Sequence, residues 1–510
     1  MVNRGRAGYK RKVSAAAQRL ILKGGGSAAL GFLIRLGARL LFIMMAGRLF
    51  GVALFGAFTI AVAVVELAVT IGGAGMKRQL FKLLDEEKGG RSPPHIVLDG
   101  IVLVTLASLL CILPLMVVVA LLPPGALAGN TAAALLLLAP MILGQSLLDL
   151  LLAATRWTHR MRHQVWARSV IEPYAGVAVS VLAWALGYQA TGLVFGYWAG
   201  TLGALVYAMI GTRQCLGPFR VRSWRLSPRR LRFVIRETAL PTLGDFTNAL
   251  AGRLDLYLVG LFLGESPAGI YGMARQVRTP IRQVRQSFDG LLTPIVSRTL
   301  SHVGPARTGQ ATASATRLIL AIQLPILVGL VAIGRPLLHW IGPEFAAGYV
   351  AMLLLAAAEC IQGAYGVSDL ILLYRRPAHI LWLTAIAAAA NVAACVALVP
   401  HFGVEGAAAA ALIAYLIANL ARRLFLARGF DIHIPLAYAS APLLAGAAGV
   451  AAALGFPGMP GLAFFIGLAA YALTLGTALR LGGSSLSMTH FVIDAEAQDV
   501  TPEDPALPRT

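Results

Sequence analysis

Apolar stretches long enough to cross a membrane recur along the whole chain. Crossing about 30 Å of hydrocarbon takes about 20 helical residues, and a spanning helix satisfies its own backbone hydrogen bonds. The sequence therefore predicts an all-α membrane protein of about fourteen transmembrane helices. The predicted spans are 28–47, 52–75, 97–122, 131–155, 167–187, 190–212, 237–263, 268–297, 313–338, 346–373, 378–399, 404–426, 433–454 and 461–480.

The composition agrees with a polytopic membrane protein. The chain is 58% hydrophobic and 13% charged, whereas a soluble domain carries about 25% charged residues. Four scattered cysteines have no C-x-x-C spacing, so neither a disulfide framework nor a metal site is predicted. His159 and His163 lack a third ligand in sequence, and no cofactor is expected.

Basic residues are distributed unevenly between the two sides of the predicted membrane. With both termini in the cytoplasm, the inner segments hold 33 Lys and Arg residues and the outer loops hold two, Arg48 and Arg335. This excess follows the positive-inside rule. It also accounts for the net charge of +21 without nucleic acid, because inner loops face an anionic leaflet. No signal peptide is predicted, since no short apolar region with a cleavage site follows the basic N-terminus.

A short motif repeats 213 residues apart and divides the chain into halves. Two apolar residues, Gly, x4, Gly, x and an aromatic residue occur at Leu49–Phe58 and again at Phe262–Tyr271. Six spans per half predict two six-helix lobes related by a pseudo-two-fold axis along the membrane normal, with the substrate site between them. The predicted domains are a basic cytoplasmic N-terminus (1–27), an N-lobe (28–212), a basic linker (213–236), a C-lobe (237–426), two further helices (427–480) and an acidic disordered tail (481–510).

Four arginines lie inside the eighth predicted span. Their spacings of three, four and three place them within an arc of roughly 80° on one helix face. Facing lipid would cost about 2.5–3.5 kcal/mol for each, so they must face water, acidic partners or an anionic ligand. The planar, permanently charged guanidinium suits a phosphate. The predicted substrate-binding residues are Arg275, Arg278, Arg282 and Arg285, together with Arg35 and Arg39 on one face of the first span.

Acidic residues in neighbouring spans are the expected charge partners or ion-coupling groups. They are Asp245, Asp255, Glu359 and Glu66. An alternative interpretation gives the arginines a structural role, in ion pairs with Asp245, Asp255, Asp289 and Glu359. Asp245, Asn248, Gly252 and Asp255 are predicted to share one face of the seventh span. Arg168 and Glu172 are predicted to form a simple i,i+4 pair, and Pro280 is predicted to kink the eighth span.

Three stretches resemble the polysaccharide flippases of the multidrug/oligosaccharidyl-lipid/polysaccharide exporter superfamily. They are Gly47–Phe58, Phe246–Ala274 and Asn391–Ala408, and the resemblance extends over about residues 20–480. It implies a flippase that carries undecaprenyl-pyrophosphate-linked oligosaccharide across the bacterial inner membrane by alternating access, for O-antigen, capsule or exopolysaccharide synthesis. It also implies partners, namely the lipid-linked glycan, membrane lipids, and a glycan polymerase with chain-length proteins.

Two related functions and one unrelated function are the alternatives. A lipid II flippase would also need cavity arginines, whereas a multidrug exporter of the same fold would favour cavity carboxylates for cationic substrates. A membrane enzyme is not expected, because the outer loops are short and hold almost no paired carboxylates.

Overall fold

The computed structural model describes residues 34, 36–86, 92–123, 129–158, 160–219, 224, 228–288, 305–365, 368–369, 371–372, 377–435 and 437–481. These residues are helical almost throughout and include no strand. Two residues of the sequence-based predictions, Arg35 and Asp289, lie outside the described residues, as do 1–33 and 482–510.

The helices are named here in chain order. The first are α1 (Gly51–Gly72), α2 (Met76–Glu86), α3 (Pro93–Leu121), α4 (Gly129–Leu138), α5 (Met141–Trp157), α6 (Arg162–Val165), α7 (Glu172–Ala185), α8 (Gly192–Leu216) and α9 (Pro228–Ala251). They are followed by α10 (Leu254–Leu263), α11 (Glu265–Val277), α12 (279–288), α13 (Pro305–Ile341), α14 (Tyr349–Tyr365), α15 (Pro377–Phe430), α16 (Ala437–Leu454) and α17 (Pro460–Leu481). A helix over residues 36–45 precedes α1, and the π-helical segment Ala46–Phe50 joins the two. A second π-helical segment, Trp166–Ile171, precedes α7.

Long apolar helices confirm the predicted class of multi-pass α-helical membrane protein. Within the described chain, eight helical stretches are long and apolar enough to cross a membrane, or ten if two bent pairs each form one span. The bent pairs are α4 with α5, at 45°, and the two helices of the seventh predicted span, at 49°. Two of the long stretches, Leu36–Gly72 and Trp382–Phe430, each cover two predicted spans, and the number fourteen stays a prediction.

Helix α15 contains a backbone break. Its 54 residues would measure about 80 Å if straight, far more than the hydrocarbon thickness of about 30 Å. At Gly403 the backbone leaves the helical region, with φ 55° and ψ −131°. The break falls between the predicted eleventh and twelfth spans. A residue with a Cβ adopts this conformation only under strain.

Substituting Gly403 should therefore destabilise the protein although no atom crowds the position. A Cβ built on Gly403 has no neighbour within 4 Å, so Gly403→Ala reports backbone strain alone. We expect a loss of about 1–3 kcal/mol in the free energy of unfolding, measured by denaturant titration in detergent. Gly476→Ala, in helix α17 and equally uncrowded, is the matched control. Equal stability of the two variants would contradict the assigned strain.

The chain divides into two compact units. Unit 1 comprises Met1–Phe50 and Val64–Asp245, and unit 2 comprises Gly51–Ala63 and Phe246–Thr510. Helices α1 and α9 therefore each contribute residues to both units. The domain limits predicted from the sequence stay predictions.

Glycine contacts bring helices close together within unit 1. Helices α7 and α8 approach so closely that a Cβ on Gly200 would lie 2.3 Å from the carbonyl oxygen of Glu172. Small residues permit such backbone approach between membrane helices. This contact fixes the start of α7, and with it the Glu172 side chain, against α8.

The repeated motif marks a comparable contact within unit 2, where α1 crosses α11. A Cβ on Gly56 would lie 1.9 Å from the carbonyl oxygen of the first residue of α11, and one on Gly269 would lie 2.2 Å from the carbonyl oxygen of Val52. The glycines that open the two motif copies, Gly51 and Gly264, both have positive φ, 73° and 87°. The two copies therefore share a positive φ at the first glycine and pack on each other at the second.

Candidate functional site

The predicted row of four arginines is divided between two helical segments. Helix α11 ends at Val277, and the helix resumes as α12 after Arg278. The interruption lies two residues before Pro280, which has no backbone N–H to donate. The row is therefore not on one continuous helix, and its members have different surroundings.

Arg275 is held by an acidic residue of unit 2. One of its Nη atoms donates to Asp255 Oδ1 at 2.6 Å and the other to the carbonyl oxygen of Gly252 at 2.8 Å. The hydroxyl of Tyr271 donates to the other oxygen of Asp255, whose first oxygen also accepts the backbone N–H of Leu256 at 2.9 Å. This buried carboxylate is therefore fully hydrogen-bonded.

Arg278 forms the most deeply buried ion pair of the row. Its Nη1 lies 3.0 Å from Glu359 Oε1, and the two side chains are 5% and 3% exposed. Arg282 is half-buried and lies close enough to Glu359 and Arg278 to interact electrostatically with both. Arg275 and Arg278 thus adopt the ion pairs of the structural alternative, with Asp255 and Glu359 as partners.

A polar cavity of about 280 Å³ lies inside unit 2. Arg278, Arg285 and Asp255 are on its wall, together with Asp369 and Arg422. Arg422 Nε lies 2.8 Å from Asp369 Oδ1. Arg422 was not predicted as a site residue, and it is buried in helix α15. Arg422 could have been predicted from Asp369, which lies at the end of the tenth predicted span, because a carboxylate within a span pairs with a cation.

The residues of the predicted common face of the seventh span line two different cavities. Asn248, Gly252 and Asp255 line the cavity of unit 2, as a shared face requires. Asp245 lines a different cavity, inside unit 1. Asp245 and Asn248 both precede the 49° bend between α9 and α10, so the bend does not separate them, and the common face stays a prediction.

The cavity of unit 1 measures about 430 Å³. Charged side chains on its wall are Lys77, Asp149, Arg156 and Asp245, and the hydroxyl-bearing Thr70 and Ser146 also line it. Of these, Asp245 was predicted from the sequence, as a charge partner. The others were not singled out, although Asp149 is the one acidic residue within the predicted fourth span, where a carboxylate calls for a cation.

Arg168 connects the polar residues beside this cavity. The predicted simple pair with Glu172 is present, at 2.9 Å, but Arg168 also contacts Asp149 and donates to Gln145 Oε1 at 2.8 Å. Lys77 Nζ lies 3.5 Å from the other oxygen of Asp149. The prediction of an isolated i,i+4 pair is therefore wrong, because helix packing brings side chains of α2 and α5 to the same place.

Two remaining predicted residues lie elsewhere in unit 1. Arg39 is half-buried in the helix at 36–45, and Glu66 is half-buried in α1. Glu66 lies close enough to Tyr197 for an electrostatic interaction. The structure thus places the described members of the predicted site in both units, and their binding of substrate stays a prediction.

Sequence comparison decides the family. Residues 21–300, more than half of the chain, match the family described as "Polysaccharide biosynthesis protein". The chain belongs to this family. The succinoglycan biosynthesis transport protein ExoT of Rhizobium meliloti (strain 1021) is 24% identical over 315 residues. That match covers 60% of this chain and 60% of ExoT, so the alignment spans less than two thirds of the relative.

Solved structures share the fold of this polysaccharide biosynthesis protein. The lipid II flippase MurJ, in an inward closed conformation, matches with a TM-score of 0.73 at 14% identity, over 89% of this chain and 99% of MurJ. An inward-facing multidrug resistance transporter of the MATE family matches with 0.61 at 12% identity, over 78% and 98%. The predicted membership of the exporter superfamily is confirmed. The fold is one that these membrane transporters share.

Proposed function

We propose that this protein is a flippase for undecaprenyl-pyrophosphate-linked oligosaccharide in surface polysaccharide synthesis. The observation that carries the proposal is a set of arginines within the predicted eighth span, Arg275, Arg278, Arg282 and Arg285, in a chain of the polysaccharide biosynthesis family. Permanent cations buried in a membrane protein mark an anionic substrate or its pathway. The pyrophosphate is the anionic part of such a lipid-linked glycan.

The six predicted arginines have different parts in this proposal. Arg282 and Arg285 of α12 contact the pyrophosphate, with Arg35 and Arg39 as the corresponding cations of the first span. Asp255 and Glu359 hold Arg275 and Arg278 in the conformation described. During alternating access these two pairs separate, and the released guanidinium groups become available to the pyrophosphate while the carboxylates become available to a coupling cation.

The membrane potential favours the proposed direction of transport. A pyrophosphate group with two negative charges gains about 4.6 kcal/mol when it moves outward across 100 mV, inside negative. The proposal includes the topology expected from the sequence, namely the inner membrane with both termini in the cytoplasm and lobes at 28–212 and 237–426. A glycan polymerase and chain-length proteins are its proposed partners.

Two alternative substrates remain within the same fold. ExoT is described as a transport protein of succinoglycan biosynthesis, which favours a surface glycan over lipid II. A cationic drug is disfavoured because arginines outnumber carboxylates over residues 265–288, which hold four arginines and one acidic residue, Glu265.

The proposal is tested by flipping of a fluorescent undecaprenyl-pyrophosphate-linked oligosaccharide in vesicles that contain the purified protein. We expect Arg282→Gln and Arg285→Gln each to slow flipping about tenfold, the effect of losing roughly one charge-assisted hydrogen bond. Arg335→Gln, an exposed arginine near the end of α13, is the matched control and should flip at the wild-type rate. Wild-type flipping by the Arg282→Gln/Arg285→Gln double variant would contradict the site, and no flipping by the wild-type protein would contradict the function.

A further inference from the structure

We propose that the cavity of unit 1 is a binding site for the diphosphate of the lipid-linked substrate, with Lys77 and Arg156 as its contacts. The inference rests on the proposed function and adds a site in unit 1, whereas Arg275, Arg278, Arg282 and Arg285 belong to unit 2. Lys77 and Arg156 belong to the predicted inner segments 76–96 and 156–168. The cavity is therefore on the side from which the proposed substrate enters.

Lys77 and Arg168 both contact the carboxylate of Asp149, and Lys77 has the longer contact. Asp149 is already in close contact with Arg168, whereas Lys77 Nζ is 3.5 Å away. Charge-assisted hydrogen bonds between N⁺–H and O⁻ are about 2.7–2.9 Å long, so the contact with Lys77 is loose. The Lys77 side chain is 53% exposed. Its ammonium can turn to a ligand while Arg168 continues to balance Asp149.

Arg156 lines the same cavity, and its Nε lacks a hydrogen-bond acceptor among the described residues. It lies at the C-terminal end of α5, with its guanidinium carbon 5.9 Å from the centroid of the Phe81 ring. Its Nε is buried and has no hydrogen-bond partner in the described part of the chain. A buried donor without an acceptor costs about 1–3 kcal/mol. Because the Nε is buried, it meets an oxygen-rich ligand only when the guanidinium turns toward the cavity, and that turn would remove the cost.

The size and the lining of the cavity select the class of ligand. About 430 Å³ falls within the range of about 300–1,000 Å³ that is typical of small-molecule sites. The Lys77 ammonium and the Arg156 guanidinium are both donors, so the ligand must supply acceptors. Asp149 and Asp245 on the same wall disfavour an anion that lacks strong contacts with both cations. A diphosphate has enough oxygens to contact Lys77 and Arg156 together.

Binding of undecaprenyl pyrophosphate to the full-length protein in detergent tests the inference. Each of Lys77→Gln and Arg156→Gln should weaken the affinity about tenfold, and the double variant about a hundredfold, because each removes one charge-assisted contact. Arg162→Gln removes an exposed cation five residues beyond Trp157 and should leave the affinity unchanged. Arg156→Lys keeps the charge and should bind with intermediate affinity, which separates a lost contact from a misfolded variant.

Three ligands identify what the site recognises. Undecaprenol, which has no phosphate, should bind at least tenfold more weakly than undecaprenyl pyrophosphate. Inorganic pyrophosphate should compete in the wild type and not in the double variant, and with lower affinity than the lipid. Phosphatidylglycerol that binds as tightly as undecaprenyl pyrophosphate, or inorganic pyrophosphate that binds more tightly, would overturn recognition of a lipid-linked diphosphate.

The inference and the proposed function fail in different ways. Wild-type affinity in the Lys77→Gln/Arg156→Gln variant would overturn the inference even if the wild-type protein flips lipid-linked glycan. Binding that depends on Lys77 and Arg156, in a protein that flips no glycan, would support the site and overturn the proposed function.

Discussion

Glu359→Gln is expected to lower the free energy of unfolding by about 3–5 kcal/mol, the cost of leaving one buried charge without its partner. Arg278 and Glu359 are 5% and 3% exposed, and their charged atoms are 3.0 Å apart. Glutamine keeps the shape of the side chain and removes the charge. Arg278 would then remain a buried cation whose other contact is a long hydrogen bond, 3.4 Å, to the carbonyl oxygen of Leu355.

A double variant separates the ion pair from the shape of the site. Arg278→Met/Glu359→Gln removes both charges, and we expect it to be more stable than Glu359→Gln alone, because neutral replacements of a buried pair are often tolerated. The interaction free energy follows from the cycle of two single variants and the double variant. Denaturant titration in detergent supplies the four stabilities.

Arg282→Gln is the control within the same row. Arg282 is half-buried and forms no hydrogen bond or ion pair among the residues that the structure describes. We expect it to lose less than about 1 kcal/mol, as for most substitutions outside buried networks, and to flip about tenfold more slowly than the wild type. If Glu359→Gln and Arg282→Gln were equally stable, the distinction between a structural pair and a substrate contact would be wrong.

Gly269→Ala is expected to destabilise the protein by about 1–3 kcal/mol, as overpacking of a tight contact does. The added Cβ would lie 2.2 Å from the carbonyl oxygen of Val52 and 3.1 Å from the backbone N of Gly56. Neither is a flexible side chain, so α1 and α11 would have to move apart. The same change at an uncrowded helical position usually stabilises by up to about 1 kcal/mol.

The sign of the effect is therefore the test. Gly476→Ala in α17 has no atom within 4 Å of the new Cβ and should be neutral or stabilising in the same titration. Gly56→Ala should resemble Gly269→Ala, and the two losses should not add, because one separation of α1 from α11 relieves both clashes. A stabilising Gly269→Ala, or fully additive losses, would contradict backbone contact at the repeated motif.

In both units, arginines inside the protein are paired with carboxylates. In unit 1, Arg168 contacts Asp149 and Glu172, and in unit 2, Arg278 and Arg422 each face one carboxylate. Pairing allows these charges to lie within a membrane protein at all. The cations with spare donors, Lys77 and Arg156, are at the cavity of unit 1. In the proposed mechanism, the paired arginines stabilise the fold, and the loosely held cations bind the ligand.

The sequence by itself determined that the chain is a multi-pass membrane protein with a repeated glycine motif. It also predicted that the arginine row requires an anionic ligand or acidic partners. Hydrophobic length and the scarcity of charge are local properties, and they persist whatever the chain packs against. The same holds for the equivalence of Gly56 and Gly269, which identical spacing within the two motif copies predicted. The family resemblance, carried by Gly47–Phe58 and two further stretches, was confirmed by the family match over residues 21–300.

Only the tertiary structure decided which carboxylate each cation meets. Arg278 and Glu359 are 81 residues apart in the chain, and Arg168 and Asp149 are 19 apart. Helical periodicity fixes faces within one helix and not the partner across a packing contact. The interruption at Arg278 divided even one predicted helix face between two segments. Charge pairing in a low-dielectric interior depends on distances of a few ångströms, and those distances are set by how the helices pack.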